Sequence, residues 1–194
     1  EHEDAIIRFP LLNHLFNLGH KIDEVLKFRD QLERCGFSSV DFFLEKHPEF
    51  VPLGKLIIAY VFLREERKAE PALWKHVQNW YQHLYSVMTS HSSSTNKLND
   101  NNVSFITYNY DRSLEYFLCT ALENGYKLNT EEARSQVQSI PIVHVHGFIS
   151  PFLGAPGEWL PYGYDTERMD DRLWMRCIES IEVIHESNGT SKAY

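Results

Sequence analysis

A change of period between residues 103 and 146 restricts the fold more than any other feature of the chain. "VSFITY" (103–108) is a β-branched and aromatic run, "RSLEYFLCTALENG" (112–125) repeats its apolar residues at helical spacing, and "IVHVH" (142–146) is again a strand-like run. Strand, helix and strand in that order predict a βαβ unit, whose crossover leaves the two strands parallel in one sheet. The expected class is α/β, with the sheet confined to the back half of the chain.

The front half reads differently. "LLNHLFNL" and "IDEVLKFRDQLERCG" have helical periodicity, and Gly36 marks a helix stop. Ser38 with Asp41 three residues on predicts a capping box for the next helix. Pro48 and Pro52 bracket a break before a helix at 53–66, whose run "LIIAYVFL" is too short to span a bilayer and is expected to be buried on all sides. Pro71 is expected to open a further helix, with Leu73, Trp74, Val77, Trp80, Tyr81, Leu84 and Met88 on one core-packed face. The polar stretch "TSHSSSTNKLNDNN" reads as a loop. A last helix is expected within 166–178, and "IEVI" as a strand or its continuation. The expected organisation is a helical subdomain at 1–89, a flexible loop at 90–102 and an α/β portion at 103–194.

Composition narrows the function classes. A net charge of −8 argues against a broad phosphate-binding surface as the main role. Cys35, Cys119 and Cys177 are too few and too scattered for a four-cysteine zinc site or a disulfide framework, which fits a reducing, cytoplasmic setting. "NVS" at Asn102 and "NGT" at Asn188 match the glycosylation pattern, which is short enough to arise by chance. The mixed charges at 64–68 read as a solvated helix end.

In open parallel sheets ligands bind beyond the carboxyl ends of the strands. Asn109 and Asp111 follow the first strand, and His146 with Gly147 ends the second. On neighbouring strands these residues would converge on one cleft, where an amide, a carboxylate and an imidazole can orient hydroxyls, hold a carboxamide and accept a proton. Gly147 would let backbone approach a ligand closely. Other readings stand beside this one. Asn109 and Asp111 are also favoured helix caps. His144 and His146, on one strand face by alternation, read as a core residue and a site residue respectively, or together as a metal pair that lacks further ligands save His185. Trp159 and Tyr162 can line a pocket or anchor a loop, and Arg112 can meet a phosphate or be solvated.

"FITYNYDRSLE", followed after a helix by "VHVHG", resembles the sirtuin-like NAD-binding domain, above all the zinc-free branch of bacterial NAD-consuming defence proteins. The N-x-D motif of that family falls on Asn109-Tyr110-Asp111 and its H-G motif on His146-Gly147. The resemblance covers about residues 35–186 and implies a partial Rossmann-like parallel sheet. It implies that Asn109 positions the nicotinamide ribose or a water, that His146 is the general base, and that Thr107, Tyr110, Asp111 and Gly147 bind the nucleotide. NAD would be the substrate, with no metal required, and the setting would be anti-phage defence by a homo-oligomeric protein with further domains or subunits. The chain has no glycine-rich turn after an opening strand; "GAPG" (154–157) lacks the strand before it, so that strand is expected upstream of Glu1. Without the family's cysteine-bound zinc module, NAD glycohydrolysis is expected before protein deacylation. The alternatives are a non-catalytic NAD or ADP-ribose sensing or assembly module, and a metal-dependent hydrolase.

Overall fold

The two strand-like runs form short parallel strands, β1 (Phe105–Thr107) and β2 (Ile142–His144), paired Phe105 to Ile142 and Thr107 to His144. The computed structural model describes residues 10–75, 79–90, 98–152, 159–183 and 192–193. Around the strands the described residues are mostly helical. The helices are α1 (Pro10–Asn17), α2 (Ile22–Arg34), α3 (Val40–Lys46), α4 (Val51–Lys75), α5 (Trp80–Thr89), α6 (Ser113–Tyr126), α7 (Thr130–Gln138) and α8 (Asp171–Ser180). A third strand, β3 (Lys192–Ala193), runs antiparallel to β2 and leaves β1 at the edge among the described residues. Crossing from β1 to β2 takes the chain through α6 and α7, which pack on each other.

Local chemistry accounts for most boundaries. Gly36 adopts φ +69 just past α2, as a left-handed helix stop requires. The cap of α3 is Ser39 rather than Ser38: its extended backbone sets Oγ over the amides of Asp41 (3.1 Å) and Phe42 (3.4 Å). The expected pair of helices at 53–66 and from Pro71 is one helix, α4, with Pro71 inside it. Proline removes one helical hydrogen bond and crowds the preceding turn. Contacts on both sides hold the helix in register: Glu66 is bound by Arg112, Glu70 accepts from the Tyr116 hydroxyl (2.9 Å), and Leu73 is buried.

The apolar face expected from 73 to 88 is interrupted instead at Asn79. Its Oδ1 accepts from Gln82 N (2.8 Å) while its Nδ2 donates to Leu73 O (2.7 Å), so α5 starts afresh. Trp74 stacks on Phe117, but Trp80 is 58% exposed; Val77 lies outside the described residues. In the run 56–63, Leu56, Ile58, Ala59 and Leu63 are buried, Ile57, Tyr60 and Phe62 are half-buried, and Val61 is exposed. Helix α7 was not anticipated; it is hydrophilic, burying only Ala133 and Val137, and is marked by a capping box between Asn129 and Glu132.

Two apolar clusters result. One gathers Leu15, Phe28, Phe43, Leu44, Phe50, Leu56 and Leu63 from the front half with Tyr110, Ile149 and Trp174. The other joins Met88, Phe117, Leu118, Leu122, Val137 and Ile142. Helix α4 approaches α3 so closely at Gly54 that an added Cβ would lie 2.5 Å from Leu44 Cδ2. No described helix is long and apolar enough to cross a membrane.

Candidate functional site

Beyond β1 the chain enters the loop Tyr108–Arg112, which the first cluster holds. Tyr110 is buried in the first cluster and its hydroxyl donates to Asp41 Oδ1. Ile149 N donates to Tyr110 O (3.1 Å). Arg112, expected on a phosphate or in solvent, is fully buried against Glu66 of α4. Its Nη2 and Nε donate to the two Glu66 carboxylate oxygens at 2.5 and 3.1 Å, its own amide N donates to Glu66 Oε1 at 2.9 Å, and Nη1 donates to Leu160 O at 2.5 Å. Burial acts to lower the guanidinium pKa, yet the Glu66 charge and hydrogen bonds outweigh it and raise it. The charge cluster at 64–68 is therefore not wholly solvated: Glu66 turns inward to neutralise a buried arginine 46 residues away.

Asp111 caps as well as lining a site, since its Oδ1 accepts from Ser113 N (3.0 Å) at the start of α6. Asn109 uses its own amide to donate to Thr107 Oγ1 (3.1 Å), and its side chain is exposed. Thr107, Asn109 and Asp111 face one side of the loop, while the Tyr108 and Tyr110 rings lie on the side of His146.

On the first side lies a hollow of about 150 Å³ lined by Thr107, Asn109, Asp111, His144 and Glu115, with Trp80, Tyr81 and Ile106 among its other walls. Phe105 and Ile142 also line it, so it runs alongside the two strands as far as their carboxyl ends. Two carboxylates and one imidazole supply its titratable charge, and no Lys or Arg belongs to its described lining. Burial, with the Asp111 charge, pushes the Tyr81 hydroxyl up to about 12.

His144 is 1% exposed and bonded through both ring nitrogens, to Asn109 O from Nδ1 (3.0 Å) and to Glu115 Oε1 from Nε2 (2.7 Å). Burial acts to lower its pKa, but the Glu115 hydrogen bond and charge outweigh it and raise it above the ordinary histidine value. Glu115 is buried too, and its Oε2 has no hydrogen-bond partner among the described residues.

His146 does not share the face of His144. Strand β2 stops at His144, where Gly147 N donates back to His144 O (3.2 Å) and closes a turn that breaks the alternation. The His146 ring lies by Tyr108 and Tyr110, at centroid distances of 5.8 and 6.2 Å, and it is not part of the hollow's lining. Its Nδ1 is buried without a partner among the described residues. Gly147 does permit a close backbone approach, at φ +72, but to the chain at Ser180–Glu182: an added Cβ would lie 2.1 Å from Ser180 O.

The hollow therefore unites Thr107, Asn109 and Asp111 of the sequence-derived set, leaves His146, Tyr110 and Gly147 behind the loop, and adds Glu115, Trp80 and Tyr81, which sequence reasoning missed. Glu115 follows Asp111 by four residues, the one signal that could have drawn attention to it. Tyr162 anchors a loop, stacking on Tyr116 and sharing a hydrogen bond with Ser113 (2.8 Å), whereas Trp159, with the Arg134 guanidinium 4.1 Å over its ring, also lines a second hollow of about 160 Å³ with Leu160, Leu173 and Cys177. Among the described residues no group of three or more His, Cys, Asp or Glu side chains could hold a metal ion; His185 and "GAPG" lie outside them. No family model, curated protein or solved structure matches the chain significantly.

Proposed function

We propose that the chain carries the nucleotide-cleaving site of a sirtuin-like NAD glycohydrolase, built on a Rossmann-like parallel sheet. The observation that carries this reading is the register of Thr107 against His144, which gathers Asn109, Asp111, His144 and Glu115 around one hollow at the strand ends. That is where open α/β sheets take their ligands.

The hollow suits one end of the dinucleotide. About 150 Å³ holds a single aromatic ring. A pyridinium ring is cationic; the exposed Trp80 ring, backed by Tyr81, and the negative charges of Asp111 and Glu115 are attractive to a cation. The buried Glu115 Oε2, without a protein donor, is an acceptor for a carboxamide N–H or a ribose hydroxyl.

In the reaction, the bond between nicotinamide nitrogen and ribose C1′ breaks, its electron pair returning to the ring, which leaves neutral. The oxygen of a water bonds to C1′ and gives up its proton, yielding ADP-ribose. The passing ribosyl cation resembles that of glycoside cleavage, so the protein's task is to hold the ribose and deliver the water. Asn109 orients the ribose or the water and Asp111 the carboxamide. The base by resemblance is His146, which serves only if its ring turns from the Tyr108–Tyr110 side toward the substrate.

The test is nicotinamide release from NAD by the full-length protein. The expected result is turnover that falls at least about 10²-fold in Asn109→Ala and in His146→Ala. Equal activity in both variants and the wild type would remove the assignment. Nucleotide binding with no nicotinamide released would favour the sensing module.

A further inference from the structure

We infer that His144 and Glu115 form a positioning pair that fixes Asn109 from beneath, with His144 acting as a doubly donating imidazolium. The inference rests on the proposed function only for its activity readout; its structural content stands on the hydrogen bonds themselves.

His144 faces acceptors on both sides. Asn109 O is a carbonyl and can only accept, and Glu115 Oε1 accepts as a carboxylate. A neutral imidazole carries one N–H and can serve only one of them, whereas the imidazolium serves both. The other groups facing His144 agree with a cation there: Asp111 adds negative charge from the loop, and the Phe148 ring contributes none. A chain of contacts thus runs from α6 through Glu115 and His144 to the backbone of the loop residue whose side chain stands in the hollow.

Two features set this pair apart from a core ion pair. Both residues belong to the hollow's lining, and Glu115 keeps a second, buried oxygen without a partner among the described residues. The Arg112–Glu66 pair, by contrast, uses both carboxylate oxygens. When His144 loses its proton one of its two bonds is lost, and Asn109 or Glu115 is released. A reactive geometry displaced by about 1 Å costs on the order of 10²-fold in rate.

The experiment uses the full-length protein, with Glu115→Gln and His144→Gln as variants. NMR of the wild type should show both His144 ring nitrogens protonated at pH 6, and the Asn109 carbonyl carbon shift should titrate with the same midpoint as the ring. Glu115→Gln, which keeps the volume and an acceptor oxygen, should lower that midpoint. In NAD cleavage, His144→Gln should lower kcat about 10²-fold while leaving KM within a few-fold. Glu115→Gln should move the alkaline limb of the kcat profile to lower pH.

An Asn109 carbonyl shift that stays flat through the His144 midpoint overturns the inference, as does an unchanged kcat in a folded His144→Gln. If that variant does not fold, the Glu115→Gln limb decides: an unmoved limb overturns the pair. If the wild type releases no nicotinamide, the glycohydrolase reading falls and the NMR titration alone decides this one.

Discussion

Single side chains in this fold do work that their neighbours cannot replace, and Arg112 is the clearest case. It is buried with its charge matched chiefly by Glu66, so Glu66→Ala leaves a guanidinium in the interior without its hydrogen-bonded counter-charge. Breaking a buried pair from one side costs about 3–5 kcal/mol. Urea unfolding of Glu66→Ala should show a loss of that order, and a loss below about 1 kcal/mol would contradict the pairing. Gly147 sets a second limit. Alanine there would hold a left-handed backbone, costing about 1–2 kcal/mol, and would drive its Cβ onto the carbonyl of Ser180. Gly147→Ala is therefore expected to lower the melting temperature, whatever it does to activity. His144 gives stability a pH dependence of definite sign. Its pKa is raised in the folded state, so its contribution is complete below about pH 6.5 and is lost as pH rises through the folded value. The stability gap between wild type and His144→Gln should narrow over that interval in urea titrations at successive pH values.

Among the elements, α5 supplies aromatic wall to the hollow through Trp80 and Tyr81. Because Asn79 caps a new helix, Trp80 stands at the rim rather than in a core. Trp80→Ala should leave the urea midpoint nearly unchanged and weaken ligand binding by about 1–3 kcal/mol, the usual worth of stacking on an aromatic side chain. Equal weakening of fold and binding would instead return Trp80 to the core. Pattern alone could not place it. A helical period drawn through 73–88 counts Trp80 as apolar, and nothing in that count registers the fresh helix start at Asn79. Pro71 misled in the opposite direction, since a residue favoured at helix starts lies inside a helix held by contacts at Glu66, Glu70 and Leu73. The parallel strands and α6 were legible because periods of two and of three to four residues alternate cleanly there. Helix α7 was not, because burying only two residues leaves almost no periodic signal, and its capping box was the evidence to use. Of the site, the strand-end loop was readable. The split between His144 and His146 was not, because a turn of one hydrogen bond ends the alternation.

Over the whole molecule, the loop Tyr108–Arg112 joins what sequence order keeps apart. Tyr110 belongs to the cluster of the front half, Asp111 caps the helix of the back half, and Arg112 is tied to α4. Pairings that span 46 or 69 residues leave no trace in local pattern, which is why Glu66 and Asp41 went unnoticed as partners of the motif. A loop held this way should behave as core. The Arg112 and Ser113 amides, which donate to Glu66 Oε1 and Asp111 Oδ1, should exchange with deuterium as slowly as those inside α6. Glu66→Gln should speed the Arg112 amide before α6 loosens, and uniform acceleration would argue against a loop secured at separate points. The same anchoring has a price for ligand recognition. With its one arginine committed to the interior, the motif has no free cation to attract a diphosphate; the hollow's described walls hold no Lys or Arg, and the His144 imidazolium is already matched by Glu115. On the glycohydrolase reading proposed above, a dinucleotide would be read here from its uncharged sugar and its cationic base. Its anionic middle must find solvent or other parts of the protein, and a mononucleoside bearing the same base would be an effective competitor.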